Sequence, residues 1–120
     1  YMAWDFDDKR PVYLQISEMI KGMIFKGQYT AGDRLPSVRE LSVEAAVNPN
    51  TMQKALAELE RNGLVYTQRT AGRYITEDSS MLEKVKNQIA LEQIEKFLEQ
   101  MERIGISREQ TIQLIQKEVK

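Results

Sequence analysis

Two stretches of the sequence, LPSVREL and NPNTMQKALAELERNGL, constrain the fold more than any other feature, because each carries its own helix boundaries. In the first stretch, Ser37 is followed three positions later by Glu40. This spacing is typical of a capping box, in which the serine oxygen accepts a free N–H of the first turn and the glutamate reaches back to the N–H of the cap residue. We therefore predict a short helix that begins at about Val38.

The second stretch predicts a helix with equally clear ends. Asn48 is a favoured cap residue and Pro49 a favoured first helical residue, because the cap accepts a spare N–H and proline has none to leave unpaired. Gly63 suits the left-handed position that closes a helix running to Asn62. Val47 lies in the tight corner between the two helices. Two short helices joined by such a corner have the layout of a helix-turn-helix.

The second of these helices has a polar face opposite an apolar one. At about 100° per residue, Asn50, Gln53 and Lys54 fall on the same side. Asparagine and glutamine amides can pair with adenine in the major groove of DNA, and lysine suits guanine or phosphate. Any solvated helix also shows polar residues, so the case for DNA depends on the neighbouring capped helix and on the segment that follows. The residues of the opposite, apolar face are Met52, Ala55, Leu56 and Leu59.

A β-hairpin is predicted next. Residues 64–69 and 73–76 are rich in β-branched and aromatic residues, and the short turn between them ends in Gly72. A hairpin after a helix-turn-helix makes a wing. Arg69 and Arg73 flank the turn, so both cations are placed to meet a phosphate or a minor groove. The alternative interpretation is a pair of solvent-exposed arginines that aid solubility.

Three segments resemble the amino-terminal winged helix of the GntR family of bacterial transcriptional regulators: PVYLQI, GQYTAGDRLPSVREL and VNPNTMQKALAELERNGLVYTQR. The resemblance covers about residues 10–76 without gaps, and the Leu-Pro-Ser-x-Arg element makes it specific. It implies a winged helix-turn-helix and a DNA-binding regulator of the bacterial cytoplasm. The DNA contacts that it implies are Ser37, near a phosphate, and Arg39, Asn48, Asn50, Thr51, Gln53 and Lys54.

Two positions depart from the family pattern. Thr70 stands where the Gly-x-Gly of the family's wing tip usually begins, so the resemblance does not settle whether this tip enters the minor groove. Ala46 stands where the corner of the helix-turn-helix commonly has glycine. If Ala46 is left-handed, it costs on the order of 1 kcal/mol.

After Thr76 the sequence predicts only helices. A helix over residues 81–104 precedes Gly105, and Ser107 with Gln110 forms a second capping box. Two helices in a hairpin each bury one stripe and cannot enclose a core alone, so a second copy of the chain is the expected partner. The predicted dimer interface consists of Ile94, Phe97, Leu98, Met101, Ile104, Ile112 and Ile115.

The predicted fold class is mainly α with a small β-hairpin wing. We place a winged helix-turn-helix DNA-binding domain at residues 1–78 and a two-helix dimerisation tail at 79–120. A tail of this length resembles the YtrA-type branch of the GntR family, and this resemblance implies tail-mediated dimers that repress operons encoding membrane transporters. A pocket of the usual ~300 Å³ has no room inside one such tail, so a small-molecule effector is left unassigned.

Composition argues against several other classes of function. The 120 residues include no cysteine and no histidine, so we expect no disulfide, zinc finger, metal site, cofactor or histidine-based catalytic triad. Carboxylate pairs such as Glu58 with Glu60 accompany neither a nucleophile nor a glycine loop, so no catalytic residues and no enzyme are expected. No apolar run approaches the roughly 20 residues of a membrane span, and the acidic start, YMAWDFDDK, does not resemble a secretory leader.

The formal net charge of −1 differs from that of strongly basic proteins that coat nucleic acid. Residues 34–73 are nevertheless locally cationic, because six lysines and arginines outnumber four glutamates and leave +2. We therefore expect weak non-specific binding, and a homodimer that reads an inverted-repeat, double-stranded operator through the helix 49–62, Arg39 and the wing 64–76. The alternative is a winged helix that binds protein without specific DNA binding; the arginines at 39, 69 and 73 argue against it.

Overall fold

The computed structural model describes residues 4–119, so the first three residues of the acidic start and Lys120 lie outside the described part. Within it, five helices accompany a two-stranded antiparallel hairpin, which confirms a mainly α fold with a small wing. The elements are α1 (Val12–Phe25), α2 (Val38–Ala45), α3 (Pro49–Arg61), β1 (Val65–Gln68), β2 (Gly72–Ile75), α4 (Ser79–Arg103) and α5 (Arg108–Glu118).

The chain divides into two compact units, Tyr1–Leu82 and Glu83–Lys120. The first unit holds α1, α2, α3 and the hairpin, and α4 begins in it before continuing into the second unit. The division proposed from the sequence, between residues 78 and 79, falls at the start of α4. No helix among residues 4–119 is both long and apolar enough to cross a lipid bilayer.

The core of the first unit forms where α3 packs against α1, α2 and β1. The predicted apolar face of α3 is confirmed, because all four of its apolar side chains are buried. Burying each large aliphatic side chain contributes roughly 1.5–3 kcal/mol, so this face holds the helix firmly and leaves its other side to solvent. The other buried core residues of this unit are Ile16, Ile20, Met23, Ile24, Leu35, Leu41, Ala45, Leu64, Val65 and Ile75.

The predicted starts of α2 and α3 are confirmed, and α3 ends at Arg61, one residue before the predicted Asn62. Ser37 Oγ accepts the N–H of Glu40 at 3.1 Å, and Glu40 Oε1 accepts the N–H of Ser37 at 3.0 Å, which completes the capping box. Asn48 Oδ1 accepts the N–H of Asn50 at 2.7 Å, and Pro49 is the first residue of α3. Because these contacts are local, they fix where both helices begin independently of the rest of the fold.

Ala46, at the corner of the helix-turn-helix, adopts the left-handed conformation considered above. Ala46 has φ 57° and ψ 46°, a conformation in which its side chain is mildly strained. The N–H of Val47 donates to Ser42 O at 3.0 Å, which closes α2 and turns the chain towards Asn48. After α3, Gly63 adopts φ 79°, as predicted for the residue that ends this helix.

The wing differs from the prediction in the position of its turn. Gly72 is paired with Gln68 and is the first residue of β2, so the connection consists of residues 69–71. Thr70, in the middle of that connection, has φ 69°. Gly72, the residue that follows the connection, also has a positive φ, of 97°. Residues with positive φ allow such a short connection to reverse the direction of the chain. The tip is therefore one residue closer to the amino terminus than expected.

The loop before α2 lines the free edge of the hairpin, which the sequence did not indicate. Arg34 forms an antiparallel bridge with Tyr74. The N–H of Leu35 donates to Arg73 O at 2.9 Å, and the N–H of Ile75 donates to Asp33 O at 2.8 Å. β2 is therefore hydrogen-bonded on both sides, to β1 and to this loop, which fixes the wing relative to the start of α2.

Helix α4 begins at Ser79, two residues before the predicted start. Asp78 Oδ1 accepts the N–H of Met81 at 3.1 Å and the hydroxyl of Ser80 at 2.6 Å. An aspartate that accepts an N–H of the first turn stabilises a helix start, so the two serines assigned to a polar junction belong to the helix.

The second unit contains the rest of α4 and α5. The predicted capping box before α5 is confirmed, with Ser107 Oγ accepting the N–H of Gln110 at 3.1 Å. Arg108 Nη2 lies 2.9 Å from Glu95 Oε1, and this ion pair joins the two helices. Both groups are exposed to solvent, so the ion pair contributes little to stability.

The predicted interface residues of the tail do not form one uniform stripe. Leu98 is only 8% exposed, so the chain itself already covers most of its side chain. The expectation that Leu98 lies on the surface available to a partner is therefore wrong. Met101 is half-buried. The remaining members are exposed, namely Ile94, Phe97, Ile104, Ile112 and Ile115.

Candidate DNA-binding surface

The exposed face of α3 has the composition predicted from the sequence. Asn50, Gln53 and Lys54 are all exposed, and Thr51 beside them is half-buried. The buried apolar face on the opposite side fixes the rotation of the helix about its axis, so these polar groups have to face outward. Their amide and ammonium groups are of the type that reads base edges and phosphates in a major groove.

Two predicted contact residues are also helix caps. Ser37 Oγ accepts the N–H of Glu40, which leaves its hydroxyl hydrogen free to donate to another acceptor. Asn48 uses its side-chain oxygen in capping, so its NH2 group is the one available for a further acceptor such as a phosphate. The caps therefore hold these donors at the amino-terminal ends of α2 and α3, where the helix dipoles also favour an anion.

Arg39 lies in the first turn of α2 and is exposed. Val43, one turn later, is also exposed, with 77% of its surface accessible. An arginine with an aliphatic neighbour presents both a charged fork and an apolar surface on one helix face. Such a fork can form two parallel hydrogen bonds to a guanine edge or to a phosphate.

Lys54 has a partner that sequence reasoning missed. Its Nζ lies 4.8 Å from the centroid of the Tyr13 ring on α1. A cation above the face of an aromatic ring gains about 0.5–1 kcal/mol at an exposed site. The ammonium is therefore held at the edge between α1 and α3. No sequence signal at Tyr13 pointed to this contact, because 41 positions separate the two residues.

The two arginines predicted to flank the wing turn have different surroundings. Arg69 is exposed in the three-residue connection. Arg73 Nε lies 2.6 Å from Glu60 Oε1 at the end of α3, and the Arg73 side chain is only 18% exposed. The expectation that both cations project from the wing is therefore wrong for Arg73, because strand alternation turns its side chain towards α3. The acidic Glu60 in the last turn of α3 was the available signal for this pair.

Glu60 joins α3 to the hairpin through one carboxylate oxygen. That oxygen accepts the Thr67 hydroxyl at 2.5 Å as well as the Arg73 N–H. Partial burial acts to raise the pKa of Glu60, but the hydrogen bonds from Thr67 and Arg73 and the charge of Arg73 outweigh it, so the pKa lies below its ordinary value. The carboxylate is therefore ionised at neutral pH and fixes the wing relative to the exposed face of α3.

A buried glutamine anchors the segment that precedes α1. Gln15 is 6% exposed, and its Nε2 donates to Asp7 O at 2.9 Å and to Arg10 O at 2.8 Å. Its Oε1 accepts the N–H of Asp7 at 3.0 Å. This glutamine belongs to the PVYLQI segment, and its role in holding the preceding chain was not foreseen.

The three helices of the first unit and the hairpin form a winged helix-turn-helix. The family model for bacterial regulatory proteins of the gntR family matches residues 12–75, which include all three helices of the first unit and the hairpin. The chain therefore belongs to the GntR family, as the sequence motifs indicated. It is a DNA-binding transcription regulator and not an enzyme. Among residues 4–119, no group of three or more acidic side chains is arranged to hold a metal ion.

Comparisons with individual proteins agree with this assignment. The chain is 36% identical over 108 residues to the HTH-type transcriptional regulator YhcF of Bacillus subtilis (strain 168), covering 90% of this chain and 89% of YhcF. It is 48% identical over 69 residues to the HTH-type transcriptional repressor YtrA of the same organism, covering 58% of this chain and 53% of YtrA. A solved GntR family transcriptional regulator from Listeria monocytogenes is 45% identical, with a TM-score of 0.87 over 93% of this chain and 98% of that one.

Proposed function

We propose that the protein is a homodimeric repressor that reads an inverted-repeat operator through α3, Arg39 and the wing. The single observation that carries this proposal is the exposed amide-rich face of α3, at the second helix of a capped helix-turn-helix. The name of YtrA as a repressor supports the direction of regulation. The resemblance to the YtrA-type branch supports the proposal that the regulated operon encodes a membrane transporter. The proposed place of action is the bacterial cytoplasm.

The proposed contacts fall into two groups. Asn50, Gln53 and Arg39 read base edges, because amides and the guanidinium fork carry the hydrogen-bonding patterns that distinguish bases. The other proposed contacts meet phosphates or sugars and set the position of the protein on the duplex. These are Ser37, Asn48, Thr51, Lys54, Arg69 and Gly72, while Arg73 acts through the placement of the wing.

The proposal of a dimer rests on the exposed apolar residues of the tail. Phe97 is 41% exposed and Ile104 is 72% exposed, and other large aliphatic side chains of α4 and α5 share this exposure. A second copy related by a two-fold axis would bury the same residues on both chains. The members of the proposed interface are Ile94, Phe97, Met101, Ile104, Ile112 and Ile115, with Leu98 supporting them from inside the unit.

The experiment begins by selecting binding sites from a library of random DNA duplexes with the purified protein. We expect enrichment of an inverted repeat. Replacing Gln53 by alanine should weaken binding to the selected duplex by about 1–3 kcal/mol and relax the preference at one base pair per half-site, with little effect on a random duplex. Fluorescence anisotropy titrations on both duplexes measure this difference.

Gln100→Ala, at an exposed position of α4, is the matched control because it removes the same amide from the second unit. It should leave both affinities unchanged. Failure to enrich any sequence would favour the alternative of a winged helix that binds protein. Equal losses on the selected and random duplexes would show that Gln53 does not read a base.

A further inference from the structure

Arg34 lies next to the wing although it belongs to the loop before α2. It forms an antiparallel bridge with Tyr74 in β2. Two backbone hydrogen bonds hold it in register, because the N–H of Leu35 donates to Arg73 O and Asp33 O accepts the N–H of Ile75. Arg34 is exposed. Within residues 4–119, none of the ion pairs that the structure forms includes its guanidinium. Hydrogen bonds with Ser37 lower the pKa of Glu40, and the charge of Arg34 adds a smaller effect in the same direction. The backbone is therefore fixed at a point where the exposed guanidinium, apart from this attraction to Glu40, can meet another anion.

The guanidinium of Arg34 lies over Gly72, the first residue of β2. A Cβ added to Gly72 would come within 3.2 Å of Arg34 Nε and 3.4 Å of Arg34 Nη2. Gly72 therefore has two reasons to be glycine: its φ of 97° and the space that its missing side chain gives to the arginine. The contact places the cation of Arg34 next to the tip of the wing at residues 69–71.

Strand alternation separates the arginines that surround the wing. Successive side chains of β2 point to opposite faces, and directly paired residues share a face. Arg73 shares a face with the fully buried Ile75 and binds Glu60. Tyr74 lies on the other face of the sheet, where its ring stacks with that of Tyr66 at a centroid distance of 5.9 Å. Arg34 is paired with Tyr74 and therefore shares this second face. Arg34 therefore lies on the solvent face of the sheet, whereas the side chain of Arg73 lies on the opposite face, towards α3.

We propose that Arg34, together with Arg69, forms the cationic part of the wing and binds a phosphate of the DNA backbone. Arg73 acts as a positioning residue that holds the wing against α3. This inference rests on the proposed function, because it requires the wing to approach the duplex. It assigns to Arg34 a sequence-independent contact, in contrast with the base reading proposed for Gln53.

The test measures how the affinity for the selected duplex depends on salt. Each phosphate contact contributes about 0.9 to the slope of log affinity against log salt concentration, because bound cations release counterions from DNA. Arg34→Gln should lower the magnitude of this slope by about 0.9 for each chain bound and should weaken binding to selected and random duplexes alike. Arg34→Lys should keep the slope of the parent, because the charge remains.

Arg61→Gln is the matched control, since it removes the same charge from an exposed arginine of the same unit at the carboxyl end of α3. Its slope should equal that of the parent. Thermal unfolding of all variants, followed through Trp4, the single tryptophan, checks that the first unit stays folded.

Three results would overturn the inference. The first is an unchanged slope for Arg34→Gln, the second is an equal decrease for Arg34→Gln and Arg61→Gln, and the third is a decrease for Arg34→Lys as large as that for Arg34→Gln. One outcome separates the two proposals: a duplex is enriched, Gln53→Ala relaxes the base preference, and Arg34→Gln has the same salt slope as the parent. In that case only the role of Arg34 fails. If no duplex is enriched, the proposed function and this inference fail together.

Discussion

At the scale of single residues, the candidate surface combines free groups with groups held by neighbours. Gln53 is exposed, whereas Lys54 lies over the Tyr13 ring. A lysine that is already oriented loses less side-chain entropy when it meets a phosphate. Tyr13 therefore affects the proposed DNA contact of Lys54 without having to touch the duplex itself.

This arrangement predicts the effect of substitutions at Tyr13. Tyr13→Leu removes the aromatic face and should weaken binding to the selected duplex by about two- to fivefold, corresponding to about 0.5–1 kcal/mol. Tyr13→Phe keeps the face and should bind as the parent does. In a Lys54→Met background, Tyr13→Leu should have no further effect. Anisotropy titrations of the single and double variants form a double-mutant cycle that measures the coupling.

A loss for Tyr13→Phe equal to that for Tyr13→Leu would show that the hydroxyl, and not the ring, is the active group. Additive losses in the double variant would show that Tyr13 acts independently of Lys54.

At the scale of the elements, the wing is held to α3 by one carboxylate. Glu60, in the last turn of α3, accepts hydrogen bonds from Thr67 in β1 and Arg73 in β2. β2 is in turn hydrogen-bonded to the loop that begins the helix-turn-helix. The exposed face of α3 and the wing tip are therefore placed relative to each other by contacts within the first unit.

These contacts predict a pH dependence of stability. The pKa of Glu60 is lower than its ordinary value, so its contribution to folding is fully present above about pH 4.5 and is lost as the pH falls through the lowered pKa. Glu60→Gln should therefore reduce the free energy of unfolding by about 1 kcal/mol at pH 7. The difference from the parent should shrink towards zero in strongly acidic solution. Urea unfolding followed by Trp4 fluorescence at a series of pH values measures it.

Glu99→Gln, an exposed position in the second unit, serves as the control and should not change this profile. A stability difference between parent and Glu60→Gln that is the same at pH 7 and in acid would contradict the role of the ionised carboxylate.

At the scale of the whole molecule, the features predicted from sequence are those with local causes. The capping boxes at Ser37 and Ser107 and the cap at Asn48 depend on residues two or three positions apart, so the sequence shows them directly. The pairs Glu60 with Arg73 and Arg34 with Gly72 join residues that are distant along the chain. They depend on how the hairpin packs against α3 and pairs with the loop before α2. The spacing of apolar residues in the sequence does not indicate such contacts.

The tail shows the same division between local and tertiary information. Helical spacing placed Leu98 in an apolar stripe, but it could not show which members of that stripe are already buried within the chain. Leu98 and Thr111 are both buried, whereas Phe97 is exposed. A substitution at Leu98 would therefore disturb the unit as well as any interface, which makes Phe97 the better residue for a test of dimerisation.

Phe97→Asp should convert the proposed dimer into a monomer. A two-fold axis places the same substitution on both chains, and burying two unpaired carboxylates is costly compared with what a small helical interface provides. Light scattering should then give the mass of one chain, 13.9 kDa. Because reading two half-sites together raises affinity through effective concentration, the monomer should bind the selected duplex about 10²-fold or more weakly, with every proposed contact residue unchanged.

Gln88→Asp provides the matched control, because it adds the same carboxylate at an exposed position of α4 that is rotated by half a turn from Phe97. It should remain dimeric and bind as the parent does. A Phe97→Asp protein that is still dimeric would exclude this face of α4 as the interface. A monomeric Phe97→Asp protein that binds the selected duplex as tightly as the parent would show that DNA recognition does not need two copies, because the contacts of a single first unit would then suffice.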